Sequence, residues 1–453
     1  MGGFCRGVVA VSLFGAVCLG GIEARGGSLA EVVPDLLENH AQIKAAEADL
    51  RAAKDRLRVA VGAWFPELTL TANYGYENQI KPEGTADTDM TPRELDVSVT
   101  QLIWDFGATN STVRVAALTH EQSKAVLKTV RPALLLRIVT AHLNVQRAWE
   151  ILSYAQRSEA NIKRQTELES ALVERGDGFS TDVLQAKVQL AGAQARRIQA
   201  QGAVQQAINA YRGVVGKEPG DPEALDKPIL PVDLIPPSIE DVVRISLENN
   251  PQLQAAMVAN QIARETVKST RASSFYPSLS ASGDLKFKES VGGTAGFQRE
   301  SLIKVEATFP FNLGFTAVNT LRASKSDLTA TERRFADSRD SIEEQARNAW
   351  ASLRTAKENA AMLMNQANIA GEFLELARKE RQMDRRSLLD VLAGETALLN
   401  ASSDAASAET DVAVAVYSLL SVMGRLDQAA VTGVPATTTH VSGHTIRPSL
   451  QYR

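Results

Sequence analysis

The chain has 453 residues, a net charge of −4 and only 5% aromatic residues. That balance excludes a basic nucleic-acid-binding domain. The two cysteines, Cys5 and Cys18, both lie near the N-terminus, so the rest of the chain has no disulfide framework and no thiol chemistry.

Residues 1–24 read as a secretory signal. Arg6 supplies the positive charge, Val8 to Leu19 an apolar core, and Gly20 to Ala24 small residues for cleavage. The alternative is a buried helix. Gly15-Ala16-Val17 is a poor match to a lipobox, which argues against lipidation at Cys18. Beyond this segment no apolar run reaches the roughly 18 residues of a transmembrane helix.

A first structural unit spans residues 28–215. Ser28-Leu-Ala-Glu31 is a capping box, and a helix is expected from there to about Ala63, where Trp64-Phe65-Pro66 stops it. The period then changes to two. Leu68, Leu70, Ala72, Tyr74 and Tyr76 alternate with polar residues over a strand at 67–77. After a polar loop, Leu95, Val97, Val99 and Ile103 mark a second strand at 94–103. Gly107 ends the strands, and a very long helix runs to about Arg175. Its Leu135, Ile138, His142, Val145, Trp149 and Leu152 follow a coiled-coil seam. Pro132 is expected to kink or split it. Gly176-Asp177-Gly178 makes a turn, and Ser180 or Thr181 caps a helix to about Val215.

Residues 216–237 hold Pro219, Pro222, Pro228, Pro231, Pro236 and Pro237 and read as a linker. A second unit, 238–424, repeats the first. Ser238-Ile-Glu-Asp241 caps a helix, Phe275-Tyr276-Pro277 answers Trp64-Phe65-Pro66, and strands follow at 278–288 and 302–311. Gly314 answers Gly107. Asp182-Val-Leu recurs as Asp390-Val-Leu, an offset of 390 − 182 = 208 residues that also pairs Ala141 with Ala349, Glu150 with Glu358 and Gly216 with Gly424. Such register means an internal duplication. Residues 425–453 are polar and Thr-rich and read as a disordered tail.

The expected fold is mainly α with a small β part. All four strands lie at one end of helices about 100 Å long, and both Asp-Val-Leu turns lie at the other. Strands with one apolar and one polar face resemble part of a membrane barrel. Four cannot close, since the smallest usual barrel has about eight strands and lipid tolerates no open edge. Several protomers would share one barrel. Asp284, Lys286, Lys304 and Glu306 fall on the polar, lumen-facing side, and Trp64, Phe65, Trp104, Phe275, Tyr276 and Phe311 make an aromatic girdle at the strand ends. The rival is a soluble sheet packed on helices.

The two helix-Pro-strand junctions, Asn250-Pro-Gln-Leu253, the glycines at 107 and 314 and the Asp-Val-Leu tips together resemble the TolC family of outer-membrane channels. The likeness covers nearly the whole chain after the signal, and Asp182-Val-Leu-Gln-Ala186 and Tyr417 to Leu426 are most similar to its type I secretion branch. The resemblance implies a homotrimer, three times four strands making a twelve-stranded barrel, continued by a helical coiled-coil tunnel through the periplasm. It implies a periplasmic adaptor protein and an inner-membrane transporter, of ABC type in that branch, with outer-membrane lipid around the barrel. It also implies a periplasmic gate at Thr181, Asp182, Arg386 and Asp390, with Asp177, Arg381 and Asp384 as tip contacts. This chain departs from the family where Ala393 replaces an acid, Arg381 a tyrosine and Asp384 a glycine. A charge-assisted Asp182–Arg386 pair would suit the gate, while capping by Ser180, Thr181 and Ser387 is the structural reading of the same residues.

No cofactor, metal site or enzyme is expected. His40, His120 and His142 have no companion motif, His440 and His444 lie in the tail, and no phosphate-binding loop, zinc-protease motif or nucleophile elbow occurs. The expected function is a passive exit duct for type I protein secretion. The alternatives are small-molecule efflux through the same fold and a periplasmic coiled-coil scaffold without a pore.

Overall fold

The protein is described by a computed structural model covering residues 29–311, 313–383 and 385–433. The signal segment, Ser28, Asp384, His440, His444 and the rest of 434–453 lie outside the described residues.

The chain begins with α1 (Leu29–Asn39) and α2 (Ala41–Gly62), where one helix was expected. The break is His40, whose extended backbone and ring nitrogen, accepting from the Gln42 amide at 3.2 Å, start a new helix. The second unit breaks at the matching place. There α5 (Ile239–Asn249) gives way to α6 (Pro251–Phe275). Asn250 precedes a proline, which disfavours helical backbone, and its Oδ1 accepts from the amides of Gln252 (2.9 Å) and Leu253 (3.4 Å).

Between α2 and α3 (Ala108–Glu174) lie β1 (Glu67–Tyr74), a small hairpin of β2 (Glu77–Gln79) and β3 (Thr88–Met90), and β4 (Arg93–Trp104). Between α6 and α7 (Thr316–Gln382) lie β5 (Ser278–Glu289) and β6 (Phe297–Thr308). The last strand starts five residues earlier than the alternation suggested, because Phe297 to Ser301 pair with Leu285 to Glu289 across the hairpin. The strands form one antiparallel sheet in the order β1-β4-β5-β6.

The long helices α3 and α7 are each 67 residues. Each folds back on a shorter partner, α4 (Ser180–Val215) or α8 (Leu388–Val422). Pro132 lies inside α3 without splitting it. A proline removes one ladder bond, and Leu134, Leu135, Ile138 and Val139, all at most 2% exposed, hold the next turn in the core.

That main core sits at a belt around the middle, where α3, α8, α5 and the linker meet. Gly424 (φ +67°) ends α8 there; a Cβ would stand 2.6 Å from the Asn249 carbonyl oxygen, so no other residue fits. The start of the tail is part of this core rather than disordered. Leu426 is buried, and α9 (Gln428–Thr432), capped by Asp427 Oδ1 accepting from the Ala430 amide at 2.8 Å, buries Ala430 and Val431.

Candidate functional site

Register fixes which strand residues share a face. One face carries Leu68, Val99 and Ile303 in one row and Ala72, Leu95 and Phe287 in another. Most are exposed, Leu68 at 68% and Ile303 at 89%. The opposite face is charged. Thr71, Asp96, Lys286 and Glu300 form one row across all four strands, and Asn73, Glu94 and Lys288 the next. Lys286 Nζ lies 3.5 Å from Asp96, Lys288 lies 2.9 Å from Glu300, Lys304 pairs with Glu306 at 2.6 Å, and the Ser98 hydroxyl donates to Asp284 at 2.7 Å. Asp284, Lys286, Lys304 and Glu306 therefore lie together on the polar face. A sheet that exposes apolar side chains on one side and charges on the other, with both edges β1 and β6 open, suits a wall between lipid and water.

The aromatic residues gather where strands meet helices. Phe106 stacks on Tyr276 (ring centroids 5.3 Å) and meets Trp104 edge-on at 6.2 Å. The N-cap of α3 is Gly107, and the side chain that meets the first amides there, which sequence reading does not single out, is that of buried Asp105. Its Oδ2 accepts from the Thr109 amide at 2.6 Å and its Oδ1 from the Gly107 amide at 3.1 Å.

At the far end lie the two tips. In the first, Gly176 (φ +84°) turns the chain. A Cβ on Gly178 would crowd Val173 at 3.0 Å, so the turn needs its small residues. The cap of α4 is the backbone of Phe179, with no side-chain cap bond, so neither Ser180 nor Thr181 caps this helix. Thr181 and Asp177 are exposed and Asp182 is half-buried. In the second tip Ser387 does cap α8, accepting from the Asp390 amide at 3.2 Å, and Asp390 is exposed.

The Asp182–Arg386 pair does not form within the protomer. Arg386 Nε donates to Glu380 on the last turn of α7 at 2.7 Å, and its guanidinium lies 5.2 Å from the Phe373 ring centroid. A carboxylate six residues away on the same turn is nearer than one across the bundle.

Other residues join the tips. Arg381 donates to buried Glu169 on α3 at 2.8 Å. Glu395 on α8, only 2% exposed, is paired with Arg378 of α7 and accepts from Asn161 of α3 at 3.3 Å. These groups link the α3/α4 coil to the α7/α8 coil. Sequence reading places Arg381 among the tip contacts but cannot supply its partner, which lies 212 residues away.

The belt holds a second polar cluster. His142, Gln146 and Glu150 lie four residues apart on one face of α3. His142 Nε2–H donates to the Asp226 carbonyl at 2.9 Å, and Gln146 donates to the Leu225 carbonyl at 2.8 Å. Glu150 binds Lys227 at 2.8 Å, and from α8 the Tyr417 hydroxyl donates to the Ile229 carbonyl at 3.0 Å. The hydrogen bond with Glu150 raises the Lys227 pKa, and burial pushes that of Tyr417 up to about 12. Together they strap the linker into the groove between the repeats. His142 is thus a packed histidine rather than a ligand; among the described residues no group of His, Asp, Glu or Cys could hold a metal.

The model of the family described as outer membrane efflux protein matches residues 32–217 and 242–425, leaving out part of the linker. The chain is 24% identical to the outer membrane efflux protein BepC of Brucella suis, over 93% of this chain and 91% of that one. It is also 24% identical to the alkaline protease secretion protein AprF of Pseudomonas aeruginosa, over 90% and 86%. The fold matches the CmeC outer membrane channel of Campylobacter jejuni with a TM-score of 0.77 at 16% identity, covering 88% of this chain and 86% of that one. The family is one of channels rather than catalysts. The chain belongs to the outer membrane efflux protein family and is an outer-membrane channel of the TolC type, spanning the periplasm.

Proposed function

We propose that three copies of this chain close one barrel, charged face inward, and act as the passive exit duct of a type I protein secretion system. The observation that carries the duct is the sheet. It has four strands, two open edges, an exposed apolar face and a charged face, and it leads directly into 67-residue helices. Closure by copies of itself satisfies edge amides that lipid would leave unpaired. Likeness to a secretion protein over most of the chain supports the cargo class. Likeness to BepC, an outer membrane efflux protein matched at the same identity, keeps efflux as the second reading. A periplasmic adaptor and an inner-membrane transporter, of ABC type for protein cargo, complete the assembly.

The gate is at the tips. Asp182, Asp390, Thr181 and Asp177 offer side chains to neighbouring protomers, while Arg381–Glu169 and Asn161–Glu395 hold the two coils of one protomer together. Opening separates those coils.

Single-channel recording of the purified chain in planar bilayers tests the duct. Discrete conductance steps are expected, and insertion without conductance, even with Arg381→Ala, leaves the scaffold reading in its place. Deleting the chain in its host separates the cargo classes. Loss of a secreted polypeptide with unchanged drug sensitivity supports secretion; the converse supports efflux.

A further inference from the structure

The apolar face of the sheet is not uniform along its length. At the loop end the register sets Tyr74, Arg93, Glu289 and Phe297 in one row, and Phe287 beside Arg299 in the next. Both arginines are exposed. The Arg93 guanidinium lies 5.8 Å from the Tyr74 ring centroid, and that of Arg299 lies 5.9 Å from Phe287. Arg93 also reaches Glu289, at 3.6 Å. Among the described residues Arg299 has no carboxylate within ion-pair distance, only the Phe287 ring. At the helix end the same face carries Leu68, Gln101, Leu279, Ala281, Val305 and Ala307, with no basic residue.

An arginine on a barrel's lipid face destabilises it at mid-membrane and costs little at the interface. From Leu279 to Phe287 the strand covers roughly 20 Å of bilayer at ordinary rise and tilt. Arg299 therefore emerges at the edge of the apolar band, with Arg93 just beyond. Both reach the headgroup level of one leaflet, the one away from the periplasmic helices. Guanidinium is planar and pairs phosphate bidentately, and an aromatic bed holds it in place.

The two arginines lie two strands and two residues apart, a backbone separation of roughly 12 Å. One glycerophospholipid phosphate cannot meet both. A disaccharide headgroup with a phosphate on each sugar can, and exposed Tyr74 and Phe297 offer flat apolar surfaces to the sugar rings. We propose that Arg93 and Arg299 form a binding site for a doubly phosphorylated glycolipid of the outer leaflet. This rests on the outward orientation of the apolar face in the duct reading above.

The test is native mass spectrometry of the detergent-solubilised full chain, titrated with a bis-phosphorylated glucosamine-disaccharide lipid, its dephosphorylated form and phosphatidylglycerol. Wild type is expected to retain the bis-phosphorylated lipid selectively. Affinity should fall about fivefold in R93Q or R299Q and about 30-fold in the double variant. Glu289→Gln, which frees Arg93, should bind at least as well as wild type and checks that loss in the arginine variants is not misfolding. Equal retention by the double variant, or equal retention of either comparison lipid, overturns the site. Conductance recorded on the same samples keeps the two readings apart. A conducting chain without lipid selectivity loses the lipid site and keeps the duct, and a selective chain that never conducts does the reverse.

Discussion

The belt and the tips are built from the same four long helices, α3, α4, α7 and α8, yet different forces hold them. At the belt Leu134, Leu135, Ile138, Val416, Leu419 and Leu420 are all but inaccessible and belong to one continuous core. Polar side chains there fasten the linker and leave the helices little freedom to separate. At the tips the apolar clusters are small. Ile162, Ala186, Ala193, Leu388 and Leu392 form one, and Leu374, Ala377 and Val391 another. Between them the Arg381–Glu169 ion pair and the Asn161–Glu395 hydrogen bond link one coil to the other. Apolar burial resists opening in proportion to the area exposed, whereas an ion pair at a water-filled mouth exchanges protein partners for solvent and neighbours at lower cost. The proposed gate therefore lies where the weaker forces hold the coil, and the belt where the stronger ones do.

Truncation of equally buried leucines at the two places should separate them most strongly. Leu420 and Leu392 are both fully buried. Leu420→Ala at the belt is expected to lower global stability by about 2–5 kcal/mol, read by chemical denaturation. Leu392→Ala should leave the global midpoint nearly unchanged and raise amide exchange only around the tips, because the tip opens without the belt. Equal shifts in the two midpoints would mean that belt and tips unfold as one unit, and the contrast would fail.

Next in size is the tip link itself. Arg381 is 28% exposed on its side chain and Glu169 only 6%. Removing the arginine strands a carboxylate in a half-dry site, an expected loss of about 2 kcal/mol from the closed tip, discounted for the solvent that reaches the pair. Arg381→Ala should raise single-channel conductance or open probability, and Glu169→Gln with Arg381→Ala should raise it no further. Wild-type opening should also increase with salt, whereas belt stability should not fall. An Arg381→Ala channel that conducts like wild type would limit this pair to holding helices.

These contrasts also mark what the sequence disclosed. Strand faces were legible because period two is local; Leu68, Leu70 and Ala72 needed no tertiary knowledge to be placed together. The Ser387 cap was legible for the same reason. The start of β6 was not, because Phe297 to Ser301 are held by pairing with β5 rather than by their own alternation. Arg386 illustrates a different limit. Likeness to a family supplied Asp182 as its partner, but Glu380, six residues away on the last turn of α7, competes at 2.7 Å. The strap at the belt left a signal that was passed over. His142 interrupts an apolar seam, Gln146 and Glu150 follow it at four-residue steps, and polar groups so placed need partners.

His142 supplies the smallest effect and a test specific to the belt. Its ring is fully buried against Tyr211, at 6.3 Å between centroids. Nε2–H is spent on the Asp226 carbonyl, and Nδ1 is buried with no hydrogen-bond partner. A proton on Nδ1 would bring a charge and an unmet donor into an apolar core, so burial lowers the pKa below its ordinary value of 6.5, although the Asp226 bond partly offsets this. In the unfolded chain the ring takes up a proton as pH falls through 6.5, while the folded ring does not. The unfolded state then binds more protons, so stability falls with falling pH. The stabilisation is complete above pH 6.5 and declines below it, by at most about 1.4 kcal/mol per pH unit, until the folded pKa is reached. Denaturation midpoints of wild type measured from pH 7.5 to 5 should show this slope, and His142→Gln should remove it. The tip ion pairs predict no such dependence on this residue, so Arg381→Ala should keep the slope intact. A His142→Gln chain with the wild-type pH profile would show that the belt tolerates an imidazolium, and the strap would then be open to water.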